Sequence, residues 1–152
     1  CASSTRGIFG AGGPESNVLE YITIASSGNG IDFGDLTTTV DKLAGVSSKT
    51  RGVFAGGFSP SSPNRSDTIA YVTIASTGDA IDFGDLAVET FAIGGGASNS
   101  ERGLYTGGAT PSVTNAIDYI TIASTGDAKD FGDLVMARRH PGGVSDSHGG
   151  LG

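Results

Sequence analysis

One stretch of this chain occurs three times, and nothing else constrains the fold as strongly. Residues 21–36 read YITIASSGNGIDFGDL, residues 71–86 YVTIASTGDAIDFGDL and residues 119–134 YITIASTGDAKDFGDL. The copies start 50 and then 48 residues apart, which is the mark of a tandem array of one supersecondary unit. Such a unit cannot cover its own apolar side, so neighbouring copies must cover it. Fold class is therefore legible. A specific activity is not.

Each copy reads as two strands around a turn. Tyr71, Thr73 and Ala75 alternate with Val72, Ile74 and Ser76, a period of two that marks a half-buried strand. Ile22 and Ile24, Val72 and Ile74, and Ile120 and Ile122 form the expected core-facing rows. Ser-Gly-Asn-Gly or Thr-Gly-Asp-Ala follows, a hairpin signal in which Gly supplies positive φ and Asn or Asp tolerates it. The return strand carries Phe33, Phe83 or Phe131, then Leu36, Leu86 or Leu134.

A second shared block lies upstream: Arg6-Gly-Ile-Phe-Gly-Ala-Gly-Gly, Arg51-Gly-Val-Phe-Ala-Gly-Gly and Arg102-Gly-Leu-Tyr-Thr-Gly-Gly. It reads as a short apolar strand ended by a Gly-Gly pair, where backbone turns or approaches other backbone closely. Before it stands a small-residue stretch around Leu43, Ile93 or Pro141, read as strand and loop, since Pro141 in the third copy forbids a helix there. The unit is thus four short strands. Residues 143–152 align with 45–54, so a single repeat array is expected over 1–152. Its units fall at about 1–44, 45–95 and 96–142, with a partial fourth at 143–152. Three such units are too few to close a ring, so either two chains complete one or the array continues.

Composition narrows the function classes. Net charge is −7 and the nine basic residues are scattered, which disfavours nucleic acid as a partner. No apolar run approaches the length of a membrane-spanning helix. Gly makes up 26 of 152 residues without a Gly-x-y period, which excludes collagen. The chain does not begin with Met, so residue 1 is expected to be a boundary rather than a translation start. The one cysteine, Cys1, falls within the repeat register, although a lipid-bearing N-terminal Cys would look the same.

Four strands in about 50 residues match a β-propeller blade. The Gly-Gly pair, variable loop, Tyr-bearing strand, aromatic and Leu resemble the kelch repeat, with Phe in place of the usual Trp and with Arg ahead of the second strand. The hairpin is also similar to a degenerate Asp-box: Ser76 and Phe83 are spaced as its Ser and Trp, but Gly78 and Ala80 replace its Asp and Gly. Near-identical arrays resemble structural and tail-fibre-like proteins of marine phages, which implies a virion or extracellular setting. The expected fold is all-β, three propeller blades per chain, with either two chains completing a six-bladed ring or the array running on.

The copies differ most between the Gly-Gly pair and the Tyr strand, with separations of 8 (Gly13 to Tyr21), 14 (Gly57 to Tyr71) and 11 residues (Gly108 to Tyr119). Length variation inside a fixed array maps to loops on one face, the usual binding face. The candidate ligand-binding residues are therefore Glu15 and Asn17, then Phe58, Asn64, Arg65 and Asp67, then Thr110 and Asn115. An aromatic, amides, a guanidinium and carboxylates suit a glycan or a protein receptor. The bland alternative is a solvated Pro/Ser loop.

Asp79, Asp82 and Asp85, with Asp127, Asp130 and Asp133, raise the question of calcium, but their spacing is not that of a calcium loop. Capping of turns, bonds to backbone N–H groups, or pairing with Arg6, Arg51 and Arg102 suit them better. Asp-Phe-Gly appears without the other kinase elements, and His140 and His148 come without a nucleophile elbow. No enzyme, metal or cofactor is implied. The expectation is a self-associating structural or receptor-recognition module; the alternative is a free-standing lectin-like glycan binder.

Overall fold

A computed structural model describes residues 1–12, 16–60 and 64–145. Eleven strands and no helix are present among them. Module 1 holds β1 (Arg6–Gly10), β2 (Ser16–Thr23) and β3 (Ile31–Val40). Module 2 holds β4 (Ala44–Ser47), β5 (Arg51–Ala55), β6 (Thr68–Thr73) and β7 (Ile81–Asp85). Module 3 holds β8 (Gly96–Ser98), β9 (Arg102–Thr106), β10 (Ala116–Thr121) and β11 (Lys129–Asp133). Each module is one antiparallel sheet whose strands lie side by side in chain order.

The first sheet has three named strands, and Cys1–Ala2 supply the start of the fourth. Ala2 bridges Gly7, the Cys1 ammonium donates to Ile8 O (3.0 Å), and Ile8 N–H donates to Cys1 O (2.8 Å). Burial lowers the pKa of that ammonium. By count from the shared Arg, Cys1 and Ala2 occupy the seats of Val46–Ser47 in β4 and Ala97–Ser98 in β8. The inner edges are tied directly: Ala2 N–H donates to Ser47 Oγ (3.3 Å), and Ser47 N–H to Ser98 Oγ (3.3 Å).

No module has a core of its own. One buried cluster joins Ile8, Leu19, Phe33, Leu36 and Val40 of module 1 to Phe54, Ala70, Val72, Ile74 and Ala80 of module 2. The other joins Val53, Ala55, Ile69, Phe83 and Leu86 of module 2 to Tyr105, Ile120, Ile122 and Ala128 of module 3. Each of the two junctions thus joins the trailing face of one module to the leading face of the next. Strand alternation assigns successive residues to opposite faces, so the two-residue period in the sequence becomes two apolar faces rather than an apolar and a wet one.

The turn between the last two strands keeps part of the expected hairpin chemistry, with positive φ at Gly78 and Gly126 (152° and 148°), and departs from the rest. A two-residue type I′ turn needs positive φ at both central residues, and neither Asn29, Asp79 nor Asp127 has it. Pairing instead pauses after Tyr71 and resumes at Ile81, and the intervening segment reaches the neighbouring module. Gly78 N–H donates to Phe33 O (2.7 Å), Ala80 N–H to Asp35 O (2.7 Å), and Asp79 Oδ1 accepts Asp35 N–H (3.0 Å). The same clasp recurs one module on, with Gly126 N–H to Phe83 O (2.7 Å), Ala128 N–H to Asp85 O (2.8 Å) and Asp127 Oδ1 to Asp85 N–H (3.2 Å). Asp79 and Asp127 therefore bond backbone N–H groups across a junction, one of the three roles weighed for the repeated carboxylates.

The clasp requires glycine on the receiving strand. A Cβ at Gly34 would lie 2.5 Å from the Gly78 carbonyl carbon, and one at Gly84 would lie 2.6 Å from that of Gly126. The repeated Arg residues serve the same junctions rather than the carboxylates. Arg6 donates from Nη1 to Ile74 O and Arg51 to Ile122 O, both at 3.0 Å, while stacking over Tyr21 and Tyr71 of their own modules.

Two expectations need correction. The Gly-Gly pair of module 1 corresponds to Ala11–Gly12, whose φ values of 55° and 132° match 64° and 117° at Gly56–Gly57 and 65° and 104° at Gly107–Gly108. The first loop therefore runs from Gly12, nine residues before Tyr21, and an alanine takes the left-handed seat. The core-facing rows also hold only where a neighbour exists among the described residues: Ile74 and Ile122 are 1% and 0% exposed, but Ile24, over which no described module packs, is 53% exposed.

Candidate functional site

The described parts of the second and third variable loops form a rim, where each runs beside the exit segment of the module before it. Asp41 N–H donates to Phe58 O (2.9 Å) and Phe58 N–H to Asp41 O (2.7 Å); Phe91 and Ala109 pair in the same way one module later. The exit segment turns sharply at one seat per module, since Lys42, Ala92 and His140 all have positive φ (53°, 56° and 49°).

That geometry assembles a row across the rim. The Phe58 and Phe91 rings meet edge to face at 6.1 Å. Lys42 Nζ sits 4.8 Å from the Phe58 centroid, and the Arg139 guanidinium 5.7 Å from that of Phe91. Both aromatics are half-buried and both cations are exposed, so the row Lys42–Phe58–Phe91–Arg139 presents two flat apolar edges flanked by positive charge. Asp41 bonds Lys42 through Oδ2 (3.1 Å), while its buried Oδ1 has no hydrogen-bond partner among the described residues.

The expected site residues are distributed as follows. Phe58 lies in this row. Asn64 is exposed at φ 66° and Arg65 is half-buried beside it. Asn17, Asp67 and Asn115 occupy one equivalent seat at the start of the Tyr strand. There the carbonyls of Asp67 and Asn115 accept Leu86 N–H and Leu134 N–H, both at 2.7 Å. Glu15 lies outside the described residues. The structure thus unites Phe58 with residues the sequence reading missed: Lys42, Phe91 and Arg139. A signal existed, because Asp41, Phe91 and Arg139 share one seat, adjacent to the seat shared by Lys42, Ala92 and His140, and both seats change identity inside an otherwise repeated frame.

Thr110 lines a different feature, a cavity of about 230 Å³ between modules 2 and 3. Thr90, Thr114, Tyr105, Asp118 and Asp130 also line it. The corresponding space between modules 1 and 2 is almost filled, at about 10 Å³. There β3 continues to Val40 over the junction, whereas β7 ends at Asp85 and Thr90 replaces Val40. Burial, and then the Asp130 carboxylate, hold the Asp118 carboxyl above the ordinary range. Burial likewise pushes the Tyr105 phenol up, so it stays protonated and donates to Val53 O (3.4 Å). Among the described residues no group of three or more His, Cys, Asp or Glu is placed to hold a metal ion. Nor is any helix among them long and apolar enough to cross a membrane.

No protein-family model matches this chain, and no curated protein matches it.

Proposed function

We propose that the chain is a non-catalytic recognition module of the β-propeller kind, kelch-like in its repeat, that binds a partner through its variable rim. The observation that carries this reading is the Lys42–Phe58–Phe91–Arg139 row. The module frame repeats closely, while the rim changes residue from module to module and so gives each its own binding chemistry. Exposed aromatic edges beside cations suit a cell-surface glycan or a protein receptor, with the aromatic anchors supplying most of the affinity.

Further support for a propeller comes from the inner edges. Residues Ala2, Ser47, Ser98 and Ser145, one per unit, border a single open groove of about 470 Å³, as strands around a common axis would. The resemblance to tail-fibre-like arrays suits a setting on a virion or outside a cell.

The test is binding to a glycan panel and to intact cell surfaces. Shortening the loop between Phe58 and Ser66, or replacing Phe58 and Phe91 with Ala, should abolish capture while leaving the circular-dichroism spectrum unchanged. Capture that survives both changes would overturn the rim as the binding face. A lectin-like reading is favoured by one observation, the cavity whose carboxylates and threonine hydroxyls match sugar hydroxyls. Under that reading Asp118→Asn abolishes sugar binding and the rim substitutions do not.

A further inference from the structure

The two ends of the array are unshielded halves of a junction that the chain itself displays twice. On the trailing face of module 3, Phe131 is 50% exposed, where its counterparts Phe33 and Phe83 are each 2% exposed. Leu104, Ile117 and Leu134 are likewise half-buried where the equivalents in modules 1 and 2 are buried. On the leading face of module 1, Phe9 is 58% exposed, against 4% for Phe54 and 2% for Tyr105.

The polar half of the junction is also waiting at both ends. Gly132 has the same φ as Gly34 and Gly84 (139° against 138° and 143°), yet a Cβ there would meet nothing within 4 Å. Arg102 stacks over Tyr119 at 5.0 Å, but among the described residues no carbonyl receives its guanidinium. At the other end, Gly28–Asn29–Gly30 is the unused clasp, and an Asn Oδ1 can accept the N–H that Asp79 and Asp127 accept.

We infer that module 1 of a second copy docks on module 3 of the first, and that two such junctions close the pair head to tail. Gly28 N–H then donates to Phe131 O, Gly30 N–H to Asp133 O, and Asn29 Oδ1 accepts Asp133 N–H. Arg102 gains Ile24 O. Phe131 and Ile24 enter a mixed core as Phe83 and Ile122 do. Glu20 takes the seat that Asp118 holds at the junction of modules 2 and 3, so a carboxylate there is no bar. The surface is heterologous, and two copies form both contacts at once, which favours a closed pair over separate chains. Val144–Ser145 and the partner's Cys1–Ala2 claim the same seat. The tail yields, because Val144 is 93% exposed while Cys1 is held by two backbone hydrogen bonds.

The test is solution mass across a concentration series, for the chain and for Ile24→Asp and Phe131→Asp, which alter half-exposed side chains at opposite ends. The chain should give twice its 15.1 kDa mass, and each variant alone should give 15.1 kDa with an unchanged melting curve. An equimolar mixture of the two variants should regain the doubled mass at higher concentration, because one intact junction survives in the mixed pair. A monomer at every concentration, an open-ended ladder, or a dimer that either variant leaves intact would overturn the proposal.

Discussion

Gly84 and Gly132 offer a matched pair for measuring what a module junction is worth. Both sit at the same strand position with φ near 140°, a region L residues seldom enter, so alanine at either site costs about 1–3 kcal/mol of backbone strain. Only Gly84 has a neighbour. Alanine there would place its Cβ 2.6 Å from the Gly126 carbonyl and push the clasp away, losing the bonds from Gly126 N–H, Ala128 N–H and Asp85 N–H. Three hydrogen bonds at about 0.5–1.5 kcal/mol each put the excess cost of Gly84→Ala over Gly132→Ala at about 1.5–4.5 kcal/mol. Urea denaturation of both variants, followed by circular dichroism in dilute solution where copies stay apart, reads that difference as separated midpoints. Equal destabilisation would refute the reasoning, because the cost would then lie in the backbone conformation and not in the approach of two modules.

Phe83→Ala should cost about 3–5 kcal/mol, since the ring is buried in the core shared by modules 2 and 3. Phe131→Ala, at the open end, should cost only about 1–2 kcal/mol in dilute solution, as half its ring is already in water. Thermal or urea unfolding separates the two. Asp118 is held above the ordinary carboxylate range, so the folded chain binds its proton more tightly than the unfolded chain does. That penalty is absent below the ordinary carboxylate pKa and grows as pH rises through the raised one. Asp118→Asn should therefore raise the melting temperature at neutral pH and reduce its rise on acidification, with Asp130 and the protonated Tyr105 unchanged.

The repeat itself made much of this fold readable. Tyr71-Val-Thr-Ile alternates, the Gly-Gly pairs punctuate, and three copies leave little freedom, so the all-β sheet order followed from residues alone. What escaped was anything that depends on a neighbour. Asp79 looked like a turn former because Gly-Asp is turn chemistry, yet its carboxylate is taken up by Asp35 N–H of the adjacent module. Ile24 looked buried because its copies are, yet no described module packs over it and it is exposed. At the rim, loop length drew attention to Phe58, whereas its companions Phe91 and Arg139 stand in exit segments of constant length. Their signal was a change of residue at a fixed seat, which becomes visible only once the modules are aligned by their shared Arg.

The central claim is that each module is held by a clasp onto its predecessor, and backbone amide exchange at Gly28, Gly78 and Gly126 tests it most directly. These three amides are equivalent in sequence, but among the described residues only Gly78 and Gly126 have acceptors, Phe33 O and Phe83 O. The account predicts slow exchange at Gly78 and Gly126 with fast exchange at Gly28 in dilute solution. Similar rates at all three positions would contradict it.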